Sequence, residues 1–142
     1  CKLDTFFARI AAETRADAFV FDVFSNPSPQ QIEERLEGFV RRIRESHPAT
    51  PLIFLQTEVR ESGNFDLKKR AFEDAKREAA RKGMEKILET DKNIWFINPG
   101  MELGDDHEAT VDGVHPTDLG FERMLKKVQP QIIRILQKHG IK

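Results

Sequence analysis

The sequence predicts an α/β fold built on a parallel sheet, and three observations carry that prediction. Segments with helical periodicity alternate with short apolar runs along the 142 residues, the order expected of strand–helix–strand crossovers. The apolar runs are continuous rather than alternating, as in strands buried on both faces. A hydrophobic content of 39% with 33% charged residues describes a soluble globular chain with enough residues for a sizeable core.

Leu3 to Arg15 reads as the first helix, with Phe6, Phe7, Ile10 and Ala11 at helical spacing. Ala18 to Phe24 is the first strand, and Pro27-Ser28-Pro29 breaks it. The second helix places Ile32, Leu36, Phe39, Val40 and Ile43 on one stripe, with Glu33, Glu34, Arg41 and Arg42 facing water. Leu52 to Thr57 is the second strand. After a loop over Glu58–Asn64, a long charged helix runs to about Glu89, with Gly83 a candidate break. Ile94 to Ile97 is the third strand. Asn98 to His115 is a loop, and the last helix follows Pro116, where Pro130 should kink or divide it.

Composition excludes several classes. The net charge is −1 with basic and acidic residues intermixed, so no nucleic-acid face is suggested. No apolar run approaches the roughly 18–20 residues that span a membrane. The single Cys, Cys1, rules out an internal disulfide. As an N-terminal nucleophile or a lipid-modified residue it would need a processing signal that the sequence does not display.

The most informative stretch is Val111-Asp112-Gly113-Val114-His115-Pro116-Thr117-Asp118-Leu119-Gly120. Asp112 and His115 stand three residues apart on a Gly-containing turn. Pro116 pushes His115 toward extended geometry and itself suits a first helical position. An imidazole presented from a stiff junction, with a carboxylate close by, suits a general base and its orienter. His47, His107 and His139 have no comparable setting and are expected to face solvent.

Asp-x-x-His-Pro before the last helix resembles the final block of the SGNH hydrolases, also called GDSL-type esterases and lipases. Phe19-Val20-Phe21-Asp22-Val23-Phe24-Ser25-Asn26-Pro27 is similar to the block that supplies an Asn, and Glu37-Gly38-Phe39-Val40-Arg41 and Pro51-Leu52-Ile53-Phe54-Leu55 extend the likeness. The resemblance implies a flavodoxin-like three-layer αβα sandwich with strand order 2-1-3-4-5. The strands here would be the third, fourth and fifth, so the sheet would be incomplete, with its first two strands absent and the edge at Ala18–Phe24 open. The family's Gly-x-Ser block does not occur: Ser25, Ser28, Ser46 and Ser62 all lack that setting. The chain opens Cys1-Lys2-Leu3-Asp4, as if just after the family's second block, which supplies a Gly N–H to the oxyanion, and is expected to be one partial domain over residues 1–142, the C-terminal two-thirds.

The resemblance implies a serine ester hydrolase acting on a carbohydrate or other small-alcohol ester, with the nucleophile outside this chain. His115 is then the base, Asp112 its orienter, and Asn26 an oxyanion donor. Asp22 would support the Asn26 loop by accepting backbone hydrogen bonds, or simply reach the rim. Glu58 and Arg60 would shape the pocket or form a surface ion pair. No cofactor and no metal is called for, and the chain alone would be inactive. Two rivals stand beside this. One is an interaction module that pairs through the open sheet edge, either with a missing N-terminal portion or with a second copy. The other is a metal-dependent hydrolase using Asp105, Asp106, His107, Glu108, Asp112 and His115.

Overall fold

A computed structural model describes residues 2–101 and 103–141; Cys1 lies outside the described residues. The elements run α1 (Thr5–Glu13), β1 (Phe19–Phe21), α2 (Pro29–Arg44), β2 (Leu52–Leu55), a 3-10 turn (Glu61–Asn64), α3 (Leu67–Thr90), β3 (Ile94–Ile97) and α4 (Asp118–Lys138). The three strands pair in chain order, all parallel, with Phe21 opposite Phe54 and Phe54 opposite Phe96. Helices cover both faces. On one, Phe21, Phe24 and Phe54 pack with Ile32, Leu36, Phe39 and Ile43 of α2 and Ala80 and Met84 of α3. On the other, Ile53 and Ile97 meet Val128 and Ile135 of α4. The predicted α/β architecture with a buried parallel sheet is the one observed.

Local chemistry explains the helix starts. Asp4 accepts the Phe7 N–H at 2.8 Å. Ser28 and Gln31 form a reciprocal capping box ahead of Pro29 at the first helical position. Asp66 accepts the backbone N–H groups of Lys68 and Lys69. Among the described residues no helix is long and apolar enough to cross a membrane.

Several expectations need correction. The first strand is shorter than Ala18–Phe24, and the second ends at Leu55 rather than Thr57. Gln56 N–H still donates to the Ile97 carbonyl at 2.9 Å, but Thr57 N–H turns to the Gln56 side chain at 3.0 Å. Of the first helix, Ala8, Ala11 and Ala12 are buried, whereas Phe6 and Ile10 are exposed. The alanines let α1 approach α2 closely, and Phe7 stacks on Phe39 at 6.2 Å from the helix flank. Gly83 does not break α3. A Cβ there would meet Leu36 Cδ2 at 2.8 Å, so this glycine allows the close α2–α3 contact. Pro130 lies inside α4 without dividing it. Pro116 precedes the N-cap, Thr117, instead of opening the helix. His47 and His139 do not simply face solvent: their rings meet Phe19 and Trp95 edge-on. Val20 on β1 is 47% exposed, and the outer edge of that strand has no partner strand among the described residues.

Candidate active site

Each strand delivers polar residues to the same rim, the C-terminal edge of the sheet, where open α/β folds place their sites. Asp22, Ser25 and Asn26 follow β1, Gln56 to Arg60 follow β2, and Asn98 follows β3.

The Asp112–His115 turn is built locally. Val111 N–H donates to the His115 carbonyl and Thr117 N–H to the Ala109 carbonyl, both at 2.9 Å, closing residues 110–116 into a small loop. Gly113 turns it with φ +81, and a Cβ there would also meet Ser62 N at 2.9 Å. One carboxylate oxygen of Asp112 accepts the N–H groups of Val114 (2.9 Å) and His115 (2.8 Å). The other lies 2.7 Å from His115 Nδ1. These donors, the His115 N–H foremost and its ring next, hold the Asp112 carboxyl at about 2, below its ordinary 3.8. A depressed folded value stabilises the turn above the ordinary value, and that contribution is lost as pH falls through about 2. An ionised carboxylate only accepts, so the shared proton sits on Nδ1, and in the neutral imidazole Nε2 then keeps its lone pair. The His115 side chain is 77% exposed, and its Nε2 makes no hydrogen bond among the described residues.

The junction into α4 tolerates no side chain at Gly120, where a Cβ would lie 2.2 Å from the Ala109 carbonyl oxygen. Gly120→Ala is expected to cost about 1–3 kcal/mol through this overpacking, read as a lowered urea midpoint. Arg123 clamps the same loop with two hydrogen bonds to Asp106 and one to the Leu103 carbonyl, holding Asp106 well below the usual carboxylate range.

A second polar group, largely buried, supports the loop after β1. The Ser25 hydroxyl donates to Asp22 at 3.1 Å and lies 3.3 Å from the Thr57 hydroxyl, which in turn donates to Glu58 at 3.1 Å. Glu58 pairs with Arg60 at 3.0 Å, and Arg60 reaches Glu73 at 3.2 Å. Lys76, with its side chain only 3% exposed, pairs with Glu73 at 2.8 Å. Arg60 and Lys76 both donate to the Ser25 carbonyl, at 2.9 and 3.1 Å. The peptide leading into Asn26 is therefore held by two cationic donors. Asn26 itself is exposed, and its amide makes no hydrogen bond among the described residues. Asp22 also stands at the exposed rim, yet its carboxyl is partly closed in by protein. That desolvation raises its pKa, the Ser25 hydroxyl opposes the rise, and the charge of Glu58 adds to it.

The 3-10 turn joins the two groups. Arg60 enters it bonded to Ser25, and Ser62 N–H donates to the Gly113 carbonyl at 2.9 Å. A cleft of about 350 Å³ lined by Arg60, Ser62, Phe72, Glu73 and Val114 opens beside the His115 turn. A larger cavity, about 860 Å³, lies between α1 and α2 and contains none of these rim residues.

The sequence pattern of the GDSL-like Lipase/Acylhydrolase family matches residues 1–133. The chain belongs to that family. A crystal structure from Bacteroides ovatus ATCC 8483, of a protein described as a GDSL-like lipase, superposes with a TM-score of 0.92 at 45% identity over 96% of this chain. The salicylyl-acyltransferase SsfX3, from a tetracycline biosynthetic pathway, shares the fold with a TM-score of 0.69 at 21% identity over 94% of this chain. The GDSL-like chain spans 41% and 42% of the lengths of these two proteins. A search of curated proteins returned no match.

Of the residues singled out from sequence in this GDSL-like chain, Asp112 and His115 are in direct contact, and Asp22, Glu58 and Arg60 belong to the network around Ser25. Of the two expectations for Asp22, it reaches the rim, where it accepts the Ser25 hydroxyl rather than backbone donors. Glu58 and Arg60 are largely buried rather than a surface pair. Sequence reading missed Lys76, Glu73 and Thr57. Lys76 had a signal, since it shares a helical stripe with Phe72, Ala79, Ala80 and Gly83. A charged residue on an apolar stripe points to a buried partner. The acidic loop does not gather a metal-ligand set among the described residues. Asp106 is engaged by Arg123, and His107 by Glu61.

Proposed function

We propose that this GDSL-like chain supplies the base, its orienter and one oxyanion donor of a serine ester hydrolase acting on a carbohydrate or other small-alcohol ester. The observation that carries the reading is the 2.7 Å contact between His115 Nδ1 and an Asp112 carboxylate whose second oxygen is pinned by two backbone N–H groups. With Nδ1 donating to Asp112, Nε2 accepts the proton of the attacking hydroxyl and returns it to the leaving alcohol. Asp112 fixes the tautomer and stabilises the imidazolium. Asn26, on a loop anchored through the Ser25 carbonyl, donates its amide to the developing oxyanion. The attacking Ser comes from the family's Gly-x-Ser block, outside these 142 residues, and the 142-residue chain is a partial domain that is inactive alone.

Fluorophosphonate labelling with intact-mass detection tests this, on the 142-residue chain and on a form that also carries the Gly-x-Ser block. Only the longer form is expected to be labelled. In that form Asn26→Ala should lower kcat for ester hydrolysis by about 10²–10³-fold with little change in KM. Labelling of neither form would sink the hydrolase reading. It would favour the second one, an interaction module pairing through the free edge of β1, for which the exposed Val20 speaks.

A further inference from the structure

We propose that Glu61 is a positioning residue for the Asp112–His115 pair, acting through the hydroxyl of Thr110; this rests on reading that pair as base and orienter. The pair is exposed, with Asp112 50% and His115 77% accessible, so little packing holds the turn that carries it. An exposed contact of this kind adds little by itself. What fixes the turn is its attachment to the 3-10 turn at both sides of Gly113. Ser62 N–H donates to the Gly113 carbonyl at 2.9 Å, and the Thr110 hydroxyl accepts the Gly113 N–H at 3.1 Å.

The Thr110 hydroxyl can accept in that direction only if its single proton points elsewhere. Glu61 provides the destination, because Oε2 accepts the Thr110 proton. The Glu61 side chain is 11% exposed, and its second oxygen lies 3.0 Å from His107 Nδ1, so the carboxylate is held from both ends. Without it the hydroxyl is free to rotate, its lone pair leaves Gly113, and the peptide between Asp112 and Gly113 gains freedom. Asp112 would then no longer hold the His115 N–H and ring together. Glu61 also sits between Arg60, which holds the Ser25 carbonyl, and Ser62, so one short segment sets both loops.

The test is NMR on the 142-residue chain, following the His115 Nδ1 proton and the exchange of the Val114 and His115 amides. Thr110→Val and Glu61→Leu are each expected to speed both amides by about tenfold and to shift or broaden the Nδ1 proton. The amides of Ile53 and Phe54 in the core should stay protected. Thr110→Ser and Glu61→Gln keep the donor and the acceptor and should remain within about twofold of the parent. If the parent chain shows the Nδ1 proton bonded to Asp112 and neither Thr110→Val nor Glu61→Leu moves it or the amides, the inference is overturned alone. A parent chain without that bond overturns the base–orienter reading and the inference with it.

Discussion

On the proposed function, replacing His115 with alanine in a form that also carries the Gly-x-Ser block is expected to lower kcat by about 10⁴-fold or more, with KM little changed. The turn that holds His115 is closed by backbone hydrogen bonds and by Asp112, not by the imidazole, so the substitution should leave the fold intact. What it removes is Nε2, a ring nitrogen that makes no hydrogen bond among the described residues. Asp112→Asn should act through the same atom with a comparable loss. An amide can donate to Nδ1, which would put the ring proton on Nε2 and leave no lone pair for the nucleophile's proton. Because Asp112 is held ionised down to about pH 2, its own protonation should not shape the activity profile near neutrality. Single-turnover hydrolysis of an activated ester by the two variants checks both statements. A His115→Ala enzyme within tenfold of the parent would remove His115 from the chemistry.

The second large effect concerns stability. Glu73→Leu should cost about 3–5 kcal/mol, because it leaves the ammonium of Lys76 without a counter-ion in a site that is only 3% exposed. The double variant Lys76→Met/Glu73→Leu should recover most of that loss, since apolar groups of similar volume replace the whole pair. Urea unfolding of the two variants and of Lys76→Met completes the cycle. Strictly additive losses would show that the two side chains do not act as a pair. The double variant also loses one of the two donors on the Ser25 carbonyl, so its Asn26 loop should be looser even where stability returns. Arg60 remains as the other donor.

How far these features were legible in the sequence depends on the kind of signal each leaves. The strands were found because fully buried parallel strands read as continuous apolar runs. Their ends were not, because Val23, Phe24, Gln56 and Thr57 are as buried as the ladder residues, and burial alone does not mark where pairing stops. The apolar side of the first helix was visible, but periodicity cannot say what a face packs against. The alanines of that helix are buried and Phe7 stacks on Phe39 of α2, whereas Phe6 and Ile10 stay outside. Gly83 reads as a helix breaker by propensity, yet α3 passes through it, because contact with Leu36 outweighs a propensity cost of about 1 kcal/mol.

The sequence by itself determined the Asp112–His115 pair and the fold class. The two residues stand three positions apart, and a Gly turn followed by a proline restricts the backbone between carboxylate and ring. The fold class follows from periodicity, which is also a local property of the chain. Only the tertiary structure decided what holds this pair in place and what anchors Asn26. The Ser25 carbonyl is held by Arg60 and Lys76 from 35 and 51 positions away, and Glu61 reaches Thr110 across 49. Such contacts depend on which helix face packs against which strand end. Residue types alone do not encode that: Glu61 reads as an ordinary loop carboxylate and Lys76 as one more charge on a charged helix. Where packing excludes water, around Thr57, Glu58 and Lys76, each polar group must find a protein partner, and that requirement creates the network.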